Sequence, residues 1–227
     1  MVMCVVAVRL ACQTGSLMWE LSTTPVRTAQ GEGLVAALTF DDGPNGADTV
    51  ALLDVLEDRG IRAVFAVIGK CIEAPGVEGR SGAEILRRIV ADGHVLCNHS
   101  TSFADMGEWS HEQVRADMLA NLAVIRSAVP GAAVLFWRAP NGSWGVTCEV
   151  AVELGMQPLD VINHIGDWAE QDPDVLEARL WEALTRGQLL LCHDGGGDRS
   201  GTVEAVTRLI DEALADGWEF TLPVGAE

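Results

Sequence analysis

Short apolar runs alternate with helix-like segments along most of this chain, and the alternation limits the fold that it can adopt. Seven strand-like runs and six segments of helical periodicity follow one another, and a glycine ends five of the helical segments. The strand-like runs are 34–40, 63–68, 94–97, 134–138, 159–162, 189–192 and 219–224, and the helical segments are 46–59, 82–92, 110–128, 145–155, 174–186 and 201–216. Six or seven strand–helix units predict a parallel α/β sheet, either a closed barrel or an open, doubly wound sheet.

Length and charge narrow the class of protein further. A chain of 227 residues with 48% hydrophobic residues is long and apolar enough for one domain with a full core. We predict a single domain over 34–227 and a leader segment, 1–33, that packs on it. The net charge of −18 argues against nucleic acid or an anionic membrane as partner and favours a neutral or cationic small molecule or carbohydrate.

The cysteines and the first residues predict a cellular location. Six cysteines contain no CxxC pair, and several lie in apolar strand-like runs, so we expect mostly buried free thiols in a reducing compartment. The apolar segment Met1–Cys12 lacks the preceding basic region of a secretory signal, and no run approaches the roughly 20 residues of a membrane span. These features predict a cytoplasmic protein.

Polar residues gather directly after five of the strand-like runs. The carboxyl ends of parallel strands meet at one rim, so these residues are expected to lie together and to form the functional site. The clusters are Asp41 and Asp42; Asn98, His99 and Ser100; Arg138 and Asn141; His164, Asp167 and Trp168; and His193 and Asp194.

The adjacent carboxylates Asp41 and Asp42 are the strongest of these signals. Two neighbouring acids at the end of a buried strand repel each other unless a cation compensates one of them. Arg138 also ends an apolar strand and is costly to bury without a partner, so we predict that it pairs with one of the acids. The alternative is a solvated Asp-Asp turn that opens a helix.

The ordered motifs resemble the NodB-type polysaccharide deacetylases, carbohydrate esterase family 4, over about residues 34–224. The resemblance rests on Thr39-Phe40-Asp41-Asp42-Gly43-Pro44, Arg138-Ala139-Pro140-Asn141-Gly142, Asp167-Trp168 and Leu191-Cys192-His193-Asp194. It implies a distorted, seven-stranded β/α barrel. It also implies an enzyme that removes acetyl groups from amino sugars with the help of a divalent metal, often zinc.

The resemblance also implies a role for each matching residue. Asp41 would be the general base and Asp42 a metal ligand. Arg138 would hold the base through an ion pair. His193 would be the general acid, oriented by Asp167.

One motif departs from the family pattern at a metal ligand. His99 and Ser100 match, but Phe103 occupies the place of the second histidine, and a phenyl ring cannot bind a metal. Catalytic zinc normally takes three protein ligands, whereas Asp42 and His99 supply two. We predict His164 as a substitute third ligand, and a metal site that is weak or absent without it.

Four further residues are predicted to contact substrate. Trp144 and Trp168 stand near strand ends, where they either stack on a sugar or aromatic ligand or pack in the core. Asn141 replaces the usual tyrosine of its motif, and a backbone N–H there could serve an oxyanion. Leu191 opens the motif that carries His193.

Three functions remain open at this point. The leading hypothesis is a hydrolase that removes an acetyl or related acyl group from an amino-sugar-containing or other small metabolite. The second keeps the acid and base without a metal, as a lyase, isomerase or cyclase. The third is a non-catalytic binding module, which the costly charged network disfavours.

Overall fold

The computed structural model describes residues 20–76 and 80–226, which form seven strands and seven α-helices. The strands are β1 Val35–Asp41, β2 Val64–Val67, β3 Val95–Asn98, β4 Val134–Trp137, β5 Gln157–Pro158, β6 Gln188–His193 and β7 Glu219–Thr221. The helices are α1 Gly46–Asp58, α2 Gly69–Ile72, α3 Gly82–Ala91, α4 His111–Ala128, α5 Thr147–Glu153, α6 Pro173–Ala183 and α7 Ser200–Ala215. The six predicted helical segments correspond to α1 and to α3 through α7.

The seven strands form one parallel sheet in the order β5-β4-β3-β2-β1-β6. The seventh strand, β7, pairs with the first residues of β1, beginning at Val35, whereas β2 pairs with the last residues of β1, ending at Asp41. Asp41 is also the register partner of His193 on β6. Since paired residues of neighbouring strands lie side by side, the sheet brings the predicted base and acid together.

Alternation along β1 separates two apolar cores. Leu38 and Phe40 point toward the helices and join the larger core, which includes residues of α1, α3, α4, α6 and α7. Ala37 lies on the other face, in a smaller core inside the curled sheet with Val64 and Leu189. Thr39 and Asp41 share the face of Ala37 because side chains alternate along a strand, so Asp41 points into the curl.

The segment before β1 fills the gap between β5 and β6. Val26 donates its N–H to the carbonyl of Pro158 and accepts a bond from the N–H of Asp160, both at 2.9 Å. Ala29 donates to Gly187, also at 2.9 Å. Residues 20–33 of the predicted leader therefore contact the sheet edge directly, while residues 1–19 lie outside the described part of the chain. The boundary at residue 34 stays a prediction.

Two sequence predictions of local structure need correction. The fifth strand is Gln157–Pro158 rather than 159–162, because the chain beyond Pro158 makes isolated bridges to Val26 and to Leu191 instead of a continuous ladder with β4. The helix α2 was not predicted, since four residues are too few for helical periodicity to show.

His94 and two of the described cysteines are buried in the fold, as expected of structural residues. His94 is 7% exposed and accepts the Ala63 N–H at its Nδ1 atom, and burial lowers its pKa to about 4. Of the described cysteines, Cys97 and Cys192 are buried, Cys71 and Cys148 are half-buried, and all four are unpaired. Cys4 and Cys12 lie outside the described residues. None of the described helices has the length and apolar character needed to cross a membrane.

Candidate active site

Asp41 and Arg138 form a buried ion pair at the end of β1. Nη1 of Arg138 lies 2.5 Å from Oδ1 of Asp41, and both side chains are 5% exposed. The same Nη1 atom donates to the Thr39 hydroxyl at 3.1 Å, and Nε donates to the carbonyl of Leu159 at 3.2 Å. These bonds fix the guanidinium of Arg138. Arg138 therefore holds Oδ1 of Asp41, and the other carboxylate oxygen, Oδ2, is available to take part in a reaction.

His193 and Asp167 form a second pair. The ring Nδ1 of His193 lies 2.8 Å from Oδ1 of Asp167, and the His193 backbone N–H donates to Oδ2 at 2.7 Å. Asp167 is fully buried and also accepts the hydroxyl of Thr202. Because a carboxylate only accepts, Nδ1 carries a proton, and Nε2 is the atom that can exchange a proton with a substrate.

The charges around His193 favour its protonated form. Burial alone would lower the pKa of His193, but the hydrogen bond and the charge of Asp167 outweigh burial, with smaller contributions from Asp41 and Asp42. The pKa is therefore raised above its ordinary value of 6.5. A protonated imidazole is what a general acid requires.

His99 stands between the two adjacent carboxylates. Its Nε2 lies 3.5 Å from Oδ2 of Asp41 and 3.5 Å from Oδ1 of Asp42. Its Nδ1 lies 2.8 Å from the carbonyl oxygen of Arg138. Since a carbonyl cannot donate, Nδ1 holds a proton, and Nε2 is the ring atom that faces the carboxylates and could bind a metal.

Asp42 adopts a left-handed backbone conformation, with φ of 76°. Burial on its own would raise its pKa, but the hydrogen bond and charge of His99, followed by the charges of His193 and Arg199, bring the pKa below the ordinary value of 3.8. Asp42 is therefore ionised at neutral pH, and its left-handed backbone is an uncommon conformation for a residue other than glycine.

A cavity of about 550 Å³ opens onto both ion pairs. It brings together ten of the eleven predicted site residues, and the eleventh, Asp167, lies directly behind His193. The ten are Asp41, Asp42, His99, Arg138, Asn141, Trp144, His164, Trp168, Leu191 and His193. A larger cavity, of about 700 Å³, is lined by Pro44, Lys70 and Cys71, and no residue of the two ion pairs lines it.

The predicted metal ligands do not all assemble. Asp42 and the Nε2 lone pair of His99 suit a divalent metal, but the described residues include no group of three or more His, Cys, Asp or Glu side chains that could hold one. His164 is exposed, bridges to Leu191 through its backbone and packs its ring 5.1 Å from that of Trp168. These contacts hold His164 against Trp168, so the described residues do not assemble the complete donor set of a catalytic zinc site.

The two departures from the family pattern contact each other. The side-chain amide of Asn141 donates to the carbonyl of Phe103 at 3.1 Å and to Asp105 at 2.9 Å. The ammonium of Lys70 lies 3.8 Å from the centroid of the Phe103 ring, a cation–π contact. The side-chain N–H donors of Asn141 are thus committed to the neighbouring loop, which leaves its side-chain carbonyl and its backbone for any contact with substrate.

Sequence reasoning missed several residues of the cavity wall. Asp160 and Val161 line the cavity because the chain after β5 turns inward. The predicted strand 159–162 included both residues, so they were not recognised as part of the site. Ala139 and Gly142 also line it, and they could have been found, since they lie in the motif that begins with Arg138. Asp160 pairs with Arg27, at 2.5 Å, from the segment before β1.

Comparison with known proteins identifies the family of this chain. The polysaccharide deacetylase family model matches residues 29–159. The chitooligosaccharide deacetylase of Bradyrhizobium sp. (strain ANU 289) is 32% identical over 195 residues, which cover 81% of this chain and 86% of the relative. The chain belongs to the polysaccharide deacetylase family. This membership confirms the predicted family and the prediction of a deacetylase-type hydrolase.

Solved structures agree with the fold of a polysaccharide deacetylase. A family 4 acetyl xylan esterase from Clostridium thermocellum, in complex with a cobalt ion, is 29% identical, with a TM-score of 0.70 over 83% of this chain and 87% of the esterase. A CE4 family pseudoenzyme from Bacillus anthracis is 21% identical, with a TM-score of 0.77 over 89% of this chain and 68% of that one, and it shows the fold alone. The predicted distorted barrel is confirmed.

Proposed function

We propose that this polysaccharide deacetylase removes an acetyl or related acyl group from an amino-sugar-containing or other small metabolite. The observation that supports this most directly is the convergence of two buried ion pairs, Asp41 with Arg138 and His193 with Asp167, on one cavity. One pair presents a base and the other an acid, which is the combination that hydrolysis of an amide or ester needs.

The proposed reaction uses this chain's own side chains. Oδ2 of Asp41 takes a proton from a water molecule, whose oxygen attacks the acyl carbon and forms a tetrahedral intermediate. Nε2 of His193 then gives its proton to the leaving nitrogen or oxygen as the bond to the acyl carbon breaks. Arg138 holds Asp41 through Oδ1, and Asp167 holds the Nδ1 proton of His193.

The cavity suits a neutral or cationic sugar. Trp144 and Trp168 provide aromatic faces, and Trp168 is 53% exposed and 5.4 Å from the His193 ring. Three carboxylates, those of Asp41, Asp42 and Asp160, line the cavity, and its only arginine, Arg138, is already paired. A relative named as a chitooligosaccharide deacetylase supports an acetylated amino sugar as the first substrate to test.

The test is release of acetate from N-acetylated chitooligosaccharides by the parent and by Asp41→Asn. We expect the variant to lose activity by about 10²–10⁴-fold, because removal of a general base costs this much. Ser102→Ala, a change in a half-buried residue outside the cavity, serves as the control and should keep the parent rate. Equal rates for parent and Asp41→Asn would refute the proposed base.

A second candidate is a metal-independent acid–base enzyme, a lyase, isomerase or cyclase, and the incomplete ligand set favours it. Elemental analysis of the purified parent and of Phe103→His separates the two. We expect the variant to retain about one divalent ion per chain, since a third donor completes the site. A parent without metal that acts on a metabolite but releases no acetate from any acetylated sugar would establish the second candidate.

A further inference from the structure

Arg199 is a buried arginine without a carboxylate partner. It is 5% exposed, and its guanidinium donates from Nε to the carbonyl of Gly195 at 2.8 Å and from Nη1 to the carbonyl of Asp198 at 2.7 Å. Within residues 20–76 and 80–226, no acidic side chain forms an ion pair with it. A charge removed from water without a counter-ion is costly, so its field must be compensated from nearby.

Asp42 is a carboxylate that lies near the guanidinium of Arg199. A methyl group added at Gly196 would lie 3.1 Å from Oδ2 of Asp42 and 3.3 Å from Nη2 of Arg199, so both charged groups lie close to this glycine. The other oxygen of Asp42, Oδ1, faces His99. The carboxylate therefore has the candidate metal position on one side and the guanidinium on the other.

Contacts outside the guanidinium hold this geometry. The backbone N–H of Arg199 donates to Asp48 at 2.9 Å, and the Asn45 side chain donates to the carbonyl of Gly197 at 2.7 Å. Both bonds join the loop after β6 to the segment that carries Asp42. Arg199 is thus a fixed charge beside Asp42 rather than a mobile surface arginine.

We propose that Arg199 is a positioning residue that balances the charge of Asp42 in a site whose metal-ligand set is incomplete. Three acids, the buried Asp41 and Asp167 and the half-buried Asp42, then face three cations, Arg138, Arg199 and protonated His193, while the buried Asp194 accepts the Thr49 hydroxyl. The inference takes the site from the proposed function, but it concerns the electrostatics of Asp42 and not the identity of the substrate.

The proposal makes a measurable prediction for cation binding. A positive charge several ångströms behind Asp42 opposes a divalent ion that binds in front of it, even when the intervening medium screens strongly. Removing that charge should therefore tighten divalent-ion binding by about tenfold, whereas a lysine at the same position should not.

The experiment titrates Phe103→His with Co²⁺, because a third donor brings binding into a measurable range, and follows the visible absorption of the bound ion. We expect the double variant with Arg199→Met to bind Co²⁺ about tenfold more tightly and the one with Arg199→Lys to bind within about twofold of Phe103→His. His99→Ala in the same background identifies absorption from other sites. Equal affinity of the Met and Lys variants, or weaker binding by Met, would overturn the proposal.

Two controls keep the outcome decisive. If Arg199→Met does not fold, Arg199→Gln removes the same charge with a side chain that can still donate to one of the loop carbonyls. If Arg199 only supports the loop, Met and Lys should disturb Co²⁺ binding alike. Because the titration needs no turnover, absence of deacetylase activity would count against the proposed function and leave this result standing.

Discussion

Two hydrogen bonds in the active site each fix a proton on a histidine ring, one on His193 and one on His99. The Asp167 carboxylate accepts from Nδ1 of His193, while the Arg138 carbonyl accepts from Nδ1 of His99. The same ring atom carries a proton in both histidines, so Nε2 is the atom left to act in each of them. The Asp167 carboxylate also raises the pKa of His193, which suits this residue to act as an acid.

Asp167→Asn tests this assignment at the residue scale. The variant should lose turnover by about 10²–10⁴-fold, because the amide no longer stabilises the protonated ring or enforces its orientation. The alkaline limb of the pH–rate profile should also move to lower pH. Asp167 raises the pKa of His193, the acid form is active below that pKa, and loss of the carboxylate lowers it.

Asp174→Asn is the matched control for this substitution. Asp174 is an exposed partner of Arg208, far from the cavity wall, and its change should leave both the rate and the profile unaltered. An alkaline limb that stays in place in Asp167→Asn would show that a group other than His193 sets it.

At the scale of elements, the site depends on two loops whose backbones touch. The loop after β1 carries Asp42 and Gly43, and the loop after β6 carries Asp194 and Gly195. A methyl group at Gly43 would lie 2.0 Å from Oδ2 of Asp194, and one at Gly195 would lie 2.1 Å from the carbonyl oxygen of Asp42. Burial raises the pKa of Asp194 to about 7, and the side chain accepts the Thr49 hydroxyl. Close packing of the two loops therefore keeps the end of β6, which carries His193, beside the end of β1, which carries Asp41.

Gly195→Ala should separate these loops. We expect a loss of about 1–3 kcal/mol in the free energy of unfolding, because the added methyl group overlaps backbone atoms, and a larger proportional loss of activity. Urea unfolding and acetate release measure the two effects. Gly60→Ala is the comparison: its left-handed backbone costs about 1–2 kcal/mol, but it has open space and lies at the end of α1. Equal activity losses in the two variants would refute the role of the contact.

At the scale of the whole molecule, the sheet does not close through its own strands alone. The β5 strand has two residues, and residues 26–29 supply the hydrogen bonds that connect its end to the start of β6. Arg27 from the same segment pairs with Asp160 in the cavity wall. The chain before β1 thus contributes to both the closure of the barrel and the rim of the site.

Val26→Pro tests this closure. Proline removes the N–H that donates to Pro158, so we expect a loss of about 1–3 kcal/mol in the free energy of unfolding, measured by urea denaturation, together with reduced activity. Thr23→Pro is the control, since Thr23 is exposed and its N–H bonds to no other described residue. A Val26→Pro protein as stable as the control would mean that the segment only rests on the sheet.

The succession of strands and helices and the convergence of polar residues at strand ends were both predictable from the amino-acid sequence. Both follow from local patterns, namely apolar period, glycine stops and the rule that parallel strands end at one rim. The family resemblance then proposed roles that agree with the observed pairs, Arg138 with Asp41 and Asp167 with His193. Ion pairs between buried strand ends are predictable because an isolated buried charge is so unfavourable.

The remaining features became known from the folded structure, because they depend on side-chain contacts that no apolar period or turn signal reveals. It held His164 against Trp168 and away from a shared ligand set, and it placed Arg199 behind Asp42. It also ended β5 at Pro158 by pairing the following residues with Val26. Arg199 and Asp42, and likewise Asp160 and Val26, stand more than a hundred residues apart in the sequence, and a pattern within one segment cannot reveal such a partner.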